Sequence, residues 1–220
     1  KMNNIILNLS SGISDKENAP KLLSGTGEEK IHLCIVLTSD RGLCGGFNSN
    51  IIKKAKAYFK KISEEGKTLK IITVGSKGYD QLKRVYKDII VEKISFKDSK
   101  TINYLDAEKV GKIIIENFDK KEFDVCTIFY NKFKNVITQI PQEQQIIPLK
   151  TSEVEENSSD DNYEFEPDED EILSNLLPKN ISTQIFKAML ENSASEQGSR
   201  MSAMDSATRN AGEMVDKLTI

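Results

Sequence analysis

The sequence predicts an α/β fold, a mostly parallel sheet with helices on both faces, followed by a long C-terminal helix. Three observations carry that expectation. Apolar runs of strand length alternate with segments of three- and four-residue apolar spacing between Ile31 and Leu149. Several of the strand-like runs are apolar almost throughout, as strands covered on both sides are. From Ile172 to Leu218 helical spacing then continues for longer than a small domain is wide.

Met2, Ile5, Ile6 and Leu9 fit the tail of a helix that Ser10, Ser11 and Gly12 end. Residues 13–29 are polar and loop-like, punctuated by Pro20, Gly25 and Gly27. Ile31–Thr38 reads as the first strand. Phe47, Ile51, Ala55, Tyr58 and Ile62 mark the first helix of the domain. Leu69–Val74 is the second strand, and Gly75–Gly78 turns the chain into a helix through Tyr79, Leu82 and Tyr86. Ile89–Ile94 is the third strand, and Ala107, Val110, Ile114 and Phe118 define the next helix. Phe123–Tyr130 is the fourth strand, and Val136–Ile140 with Gln145–Leu149 form a last extended arm. Strands alternating with helices imply parallel pairing.

Between Thr151 and Glu171 acids dominate and neither lysine nor arginine occurs, which fits a linker held open by self-repulsion. A calcium loop is the sharper alternative, but no EF-hand spacing supports it. The helix that follows is expected to kink or restart at Pro178. Beyond it Leu190, Ala194, Gln197, Met201, Met204, Thr208, Ala211, Val215 and Leu218 step by four and three, a heptad seam suited to a partner helix. The chain thus divides into residues 1–12 (a helix remnant), 13–150 (the α/β domain), 151–171 (the acidic linker) and 172–220 (the long helix).

A net charge of −3 over 220 residues argues against nucleic-acid binding. No apolar run approaches the roughly 20 residues of a membrane helix, so no direct membrane insertion is expected. Cys34 and Cys126 lie in strand-like runs and read as buried free thiols, whereas Cys44 lies in a loop and is expected to be exposed. The single histidine, His32, reads as a core residue rather than a base or ligand. Lys1 is not an initiator methionine and the final residues carry no helix stop, so the sequence reads as part of a longer chain.

The segment Thr38–Ser39–Asp40–Arg41–Gly42–Leu43–Cys44–Gly45–Gly46–Phe47–Asn48 places three glycines between a strand and a helix. Such a turn can cradle an anion, but the spacing matches neither dinucleotide nor P-loop patterns. The bland reading is a tight turn that needs glycine. The interaction reading is an exposed loop that aims Arg41 and Cys44 at a partner. No hydrolase, zinc-protease or paired-cysteine motif occurs. No catalytic residue, cofactor site or metal site is expected, and the sequence leans toward an interaction or mechanical part.

That glycine segment, together with Ala194–Ser195–Glu196–Gln197, Arg200–Met201 and Ala203–Met204–Asp205–Ser206–Ala207–Thr208, resembles the γ subunit of F-type ATP synthases. Weaker matches lie at Val74–Gly78, Tyr130–Lys132 ahead of Val136–Pro141, and Phe165–Pro167. The last block is most similar to alphaproteobacterial or mitochondrial members. The resemblance implies a Rossmann-like domain at the foot of a shaft, with the C-terminal helix forming half of an antiparallel coiled coil. It implies a rotor that carries torque between a membrane c-ring and the catalytic α/β head, and that is not catalytic alone. The implied partners are the α and β subunits, the ε subunit (δ in mitochondria) and the c-ring. The implied place is peripheral, on the cytoplasmic face of a bacterial inner membrane or the matrix face of the mitochondrial one.

Carried over by residue, the resemblance makes Arg41, Gly42, Cys44, Gly45 and Gly46 a loop facing a β subunit. Glu196, Gln197 and Arg200 become shaft positions read by neighbours. The seam of Leu190, Ala194, Met201, Met204, Thr208, Ala211, Val215 and Leu218 would face an N-terminal helix. Most of that helix and the extreme C-terminus are expected to be missing here, which predicts self-association or fraying past about Ala207. Two other functions stay open at this point: a phosphate- or nucleotide-binding α/β protein using Gly42–Gly46, and a scaffold that dimerises through Leu190–Leu218.

Overall fold

A computed structural model describes residues 20–99, 101–149 and 169–219, the side chains of the last stretch from residue 172 onward. The expected helix remnant at 1–12 and nearly all of the acidic segment lie outside the described residues. The elements are α1 (Lys21–Ser24), β1 (Ile31–Leu37), α2 (Phe47–Glu64), β2 (Thr68–Val74), α3 (Ser76–Tyr86), a 3₁₀ turn (Lys87–Ile89), β3 (Ile90–Ile94), α4 (Tyr104–Asp119), β4 (Val125–Phe133), β5 (Gln139–Ile147) and α5 (Glu169–Thr219).

The five strands form one sheet in the order β3-β2-β1-β4-β5. The first four are parallel, and β5 returns antiparallel to β4 as a hairpin. Alternation along the strands divides the core in two. Leu33, Ile35, Leu37, Ile72 and Ile128 face α4 and α5, where Val110, Ile114, Ile181 and Ile185 meet them. Cys34, Val36, Ile71 and Phe129 face α2 and α3, where Ile51, Ala55, Phe59 and Leu82 close the other layer. Burial on both sides is why β1 is apolar almost throughout. Each such Ile, Leu or Phe contributes about 1.5–3 kcal/mol relative to exposure.

Local chemistry sets the helix starts. Asn103 and Asp106 form a reciprocal capping box at the start of α4. Gly75, at φ +103°, turns β2 straight into α3. Its amide donates to the Ile94 carbonyl. α4 then packs against α5 at Gly111, where a side chain would press on the Ser182 hydroxyl at 2.6 Å.

The structure departs from expectation at three places. A single helical turn, α1, lies inside the stretch read as loop. β5 is one continuous strand; its polar centre, Gln142–Gln145, hid it because an edge strand needs little apolar content. α5 begins at Glu169 and runs unbroken through Pro178, with no restart. Leu173, Leu177, Ile181 and Ile185, all fully buried, hold the helix to the domain on both sides of the proline and outweigh its missing N–H. The helix is continuous to Thr219, through the stretch past Ala207 where self-association or fraying is expected.

Candidate functional site

The loop after β1 is locked from within. The Asn48 amide group receives the Ser39 N–H at 2.9 Å and donates to the Ser39 hydroxyl at 2.7 Å and to Cys44 Sγ at 3.3 Å. Ser39 Oγ donates to the Arg41 carbonyl at 2.6 Å. Beside this loop the Asp40 carboxylate accepts four bonds: from the amide and hydroxyl of Ser76, the hydroxyl of Ser95 and the amide of Phe96. It thereby ties three loops at the carboxyl ends of β1, β2 and β3. Burial alone would raise the Asp40 pKa, but these donors together hold it below the usual value.

This arrangement corrects the expectation for Cys44. The residue is buried, because its thiol is enclosed by the Asn48 network and its carbonyl is taken by Ser199 Oγ at 2.7 Å. Arg41, Gly42, Gly45 and Gly46 are exposed as expected. Leu43, which sequence reasoning passed over, stands 77 % exposed at the tip with φ +61°. A large apolar residue in that conformation is uncommon.

In open α/β sheets the crevice where the strand order reverses is the usual ligand site. Here it lies between β1 and β4, and α5 fills it. β1 stops pairing at Val36, opposite Phe129, while β4 runs on to Phe133. The bare edge of β4 beyond that point is met by side chains of α5. The Asn131 amide donates to Asn192 Oδ1 at 3.1 Å, the Ser195 hydroxyl donates to the Asn131 carbonyl at 2.9 Å, and the Phe133 amide donates to Glu191 Oε2 at 2.9 Å. Asn131, Asn192 and Ser195 are all buried. The helix thus substitutes for a strand at the place where a cofactor would otherwise enter.

The buried face of α5 runs through Leu177, Ile181, Ile185, Ala188, Asn192, Ser195 and Ser199. At about 100° per residue these positions lie roughly opposite the heptad seam. The seam residues Leu190, Ala194, Met201, Met204, Thr208, Ala211, Val215 and Leu218 are all exposed. Sequence reasoning found the outer stripe and missed the inner one, which turns polar beyond Ala188. Its signal was present as Asn192, Ser195 and Ser199, continuing the Ile181–Ile185–Ala188 spacing.

Glu196, Gln197 and Arg200 pair with one another. Arg200 Nη2 reaches Glu196 Oε1 at 2.5 Å and Nη1 donates to Gln197 Oε1 at 3.1 Å. The three line an open cleft of roughly 670 Å³ together with Asp40, Arg41 and Lys97. The structure therefore brings Arg41 and the Glu196–Arg200 pair to one cleft, which the first seam residue, Leu190, also lines, while the seam from Met201 onward lies beyond it. Among the described residues no group of His, Cys, Asp and Glu could hold a metal ion. Among the same residues no helix is long and apolar enough to cross a membrane.

The family model described as ATP synthase matches residues 1–220. The ATP synthase gamma chain of Pelagibacter ubique (strain HTCC1062) is 94% identical over 220 residues, which is 100% of this chain and 76% of that protein. The chain belongs to the ATP synthase γ-chain family. The γ chain of Roseobacter denitrificans (strain ATCC 33942 / OCh 114) is 52% identical over the same span, again 76% of its length. Among solved structures, a chain of the Tetrahymena thermophila mitochondrial ATP synthase central stalk and c-ring superposes with a TM-score of 0.66 at 26% identity, covering 94% of each chain. A chain of the Euglena gracilis mitochondrial ATP synthase rotor shares the fold, with a TM-score of 0.64 at 16% identity over 98% of this chain and 83% of that one. The γ-chain assignment accounts for the Rossmann-like domain and the long helix as one unit.

Proposed function

We propose that this chain is the central rotor of an F-type ATP synthase. It carries torque between the membrane c-ring and the catalytic α/β head and forms no bonds in the reaction itself. The observation that carries the reading is α5, which is anchored in the domain up to Ser199 and then projects with every described residue from Ala207 to Thr219 exposed. A helix of this kind reaches on the order of 75 Å and serves no packing purpose inside so small a domain. Its exposed seam fits an antiparallel N-terminal helix, and the loop of Arg41, Gly42, Leu43, Gly45 and Gly46 fits a contact with a β subunit. The ε subunit (δ in mitochondria) and the c-ring bind the domain. The chain then sits on the cytoplasmic face of a bacterial inner membrane or its mitochondrial equivalent.

The filled crevice between β1 and β4 supports a non-catalytic part over a nucleotide-binding one, because the Asn131 and Phe133 amides on the β4 edge already have their partners. Calorimetric titration with the cognate ε subunit tests the proposal, with ATP as the control. Heat from ε and none from ATP is the expected result. Heat from ATP alone would overturn it in favour of the nucleotide-binding reading.

A further inference from the structure

Torque delivered at the domain can reach the free part of α5 only through the contacts that stop the helix from turning about its own axis. Most of the α5 interface is apolar: Leu177, Ile181, Ile185 and Ala188 lie against aliphatic side chains. Such contacts are non-directional and tolerate small rotations. The last turns before the helix leaves the domain are different. Within Glu191–Ser199, hydrogen bonds run to three separate backbone sites: Asn131, Phe133 and Cys44. Gly198 lets the β4–β5 hairpin approach, since a side chain there would lie 3.1 Å from the Phe133 ring and 3.3 Å from Val136 Cα. On the neighbouring side, Gly45 lies against Ser199 and Ala203. The helix is therefore gripped between the hairpin and the glycine loop, with directional bonds to both.

We propose that Asn192, Ser195 and Ser199 are positioning residues that fix the angular register of the shaft against the domain and carry the torque across that junction. The inference rests on the rotor reading. It assigns the glycine turn a task inside the chain, in addition to any contact with a partner. The bonds suit the task because each has its backbone partner in a rigid element: β4 for Asn192 and Ser195, and the Asn48-locked loop for Ser199. A rotation of the helix by even a fraction of a turn breaks all three together, and the freed backbone groups of Asn131 are buried and left without partners.

The test uses the synthase assembled with the full-length chain, its head fixed and a probe on the α/β domain, comparing wild type with Asn192→Ala/Ser195→Ala. Rotation of the probe in the wild-type complex on addition of ATP tests the rotor reading by itself. The expected result for the variant is a broader angular distribution at each dwell, with the rate of ATP hydrolysis by the head preserved. Hydrogen exchange at the Asn131 amide should be about tenfold faster or more in the variant. An unchanged angular width in the variant overturns the proposal, whatever the exchange result. If the double variant does not assemble, Ser199→Ala against Ser199→Thr decides the matter: broadening in the alanine form and wild-type width in the threonine form support the proposal, and equal widths overturn it.

Discussion

The hydroxyl of Ser195, in the middle of α5, donates to the backbone carbonyl of Asn131 at 2.9 Å. The bond joins a helix to the buried edge of a strand 64 positions earlier in the chain, where β1 no longer pairs with it. It lies where an α/β sheet ordinarily opens to a ligand. The crevice between β1 and β4 is here closed by the C-terminal helix, and the same closure ties the helix to the sheet.

The two strand-to-helix turns differ in how strictly they need glycine. At Gly75, φ is +103° and an added Cβ would collide with the Thr38 carbonyl oxygen and lie 2.6 Å from Thr38 Oγ1. At Gly45, φ is +53° and the nearest atom is 3.5 Å away. Gly75→Ala is expected to cost more than about 3 kcal/mol, from strain plus collision. Gly45→Ala is expected to cost roughly 1–2 kcal/mol, from the left-handed backbone alone. Urea melts of both variants check this, and equal costs would refute the distinction.

Gly111 and Ser182 are coupled where α4 crosses α5. Gly111→Ala alone is expected to destabilise, because the new methyl presses on Ser182 Oγ at 2.6 Å. In a Ser182→Ala background the remaining contacts are at 3.6 Å, and the helix propensity of alanine should then stabilise by about 1 kcal/mol. A double-mutant cycle in denaturant reads the change of sign.

His32 is buried, with Nδ1 3.2 Å from the Tyr58 hydroxyl. Burial, and next the Lys67 charge, lower its pKa from 6.5. The unfolded chain therefore takes up the proton first as pH falls. Stability should be fully present above about pH 7 and decline as pH drops through the ordinary histidine value. Thermal melts across that range should show the decline in the wild-type chain and a flatter profile in His32→Gln.

Asp40 gives a slope at lower pH. Its pKa is below 3.8 in the folded chain, so its contribution is complete above that value and is lost as pH falls through the folded pKa. Asp40→Asn replaces a charged acceptor of four bonds with an amide that cannot accept them all. The expected loss at neutral pH is about 1.5–3 kcal/mol, with a reduced acid dependence. Chemical melts at neutral and acidic pH measure both.

The apolar patterns of β1, β2 and β4 made the parallel sheet legible, because strands buried on two sides have little choice of residue. β5 was split in two because an edge strand can carry Gln142–Gln145. The seam was legible on the outer face of α5, where Leu190, Met201 and Met204 keep heptad spacing. The inner contacts of Asn192, Ser195 and Ser199 were not, since a buried polar residue has no meaning until its partner is known, and those partners lie on β4 and the glycine loop. Cys44 was misplaced for the same reason: nothing nearby in sequence reports that a helix some 150 positions later covers it.

The projecting end of α5 has a thermodynamic consequence. From Ala207 to Thr219 every described residue of the helix is exposed, and an isolated peptide of about 12–15 residues is marginal as a helix in water because its first turn is costly to form. Here that first turn is already built: the sheet and hairpin hold the preceding turns in register, so the exposed stretch needs only propagation. The domain acts as a seed crystal for the shaft, and order should decay outward from Ser199 one residue at a time instead of melting as a block.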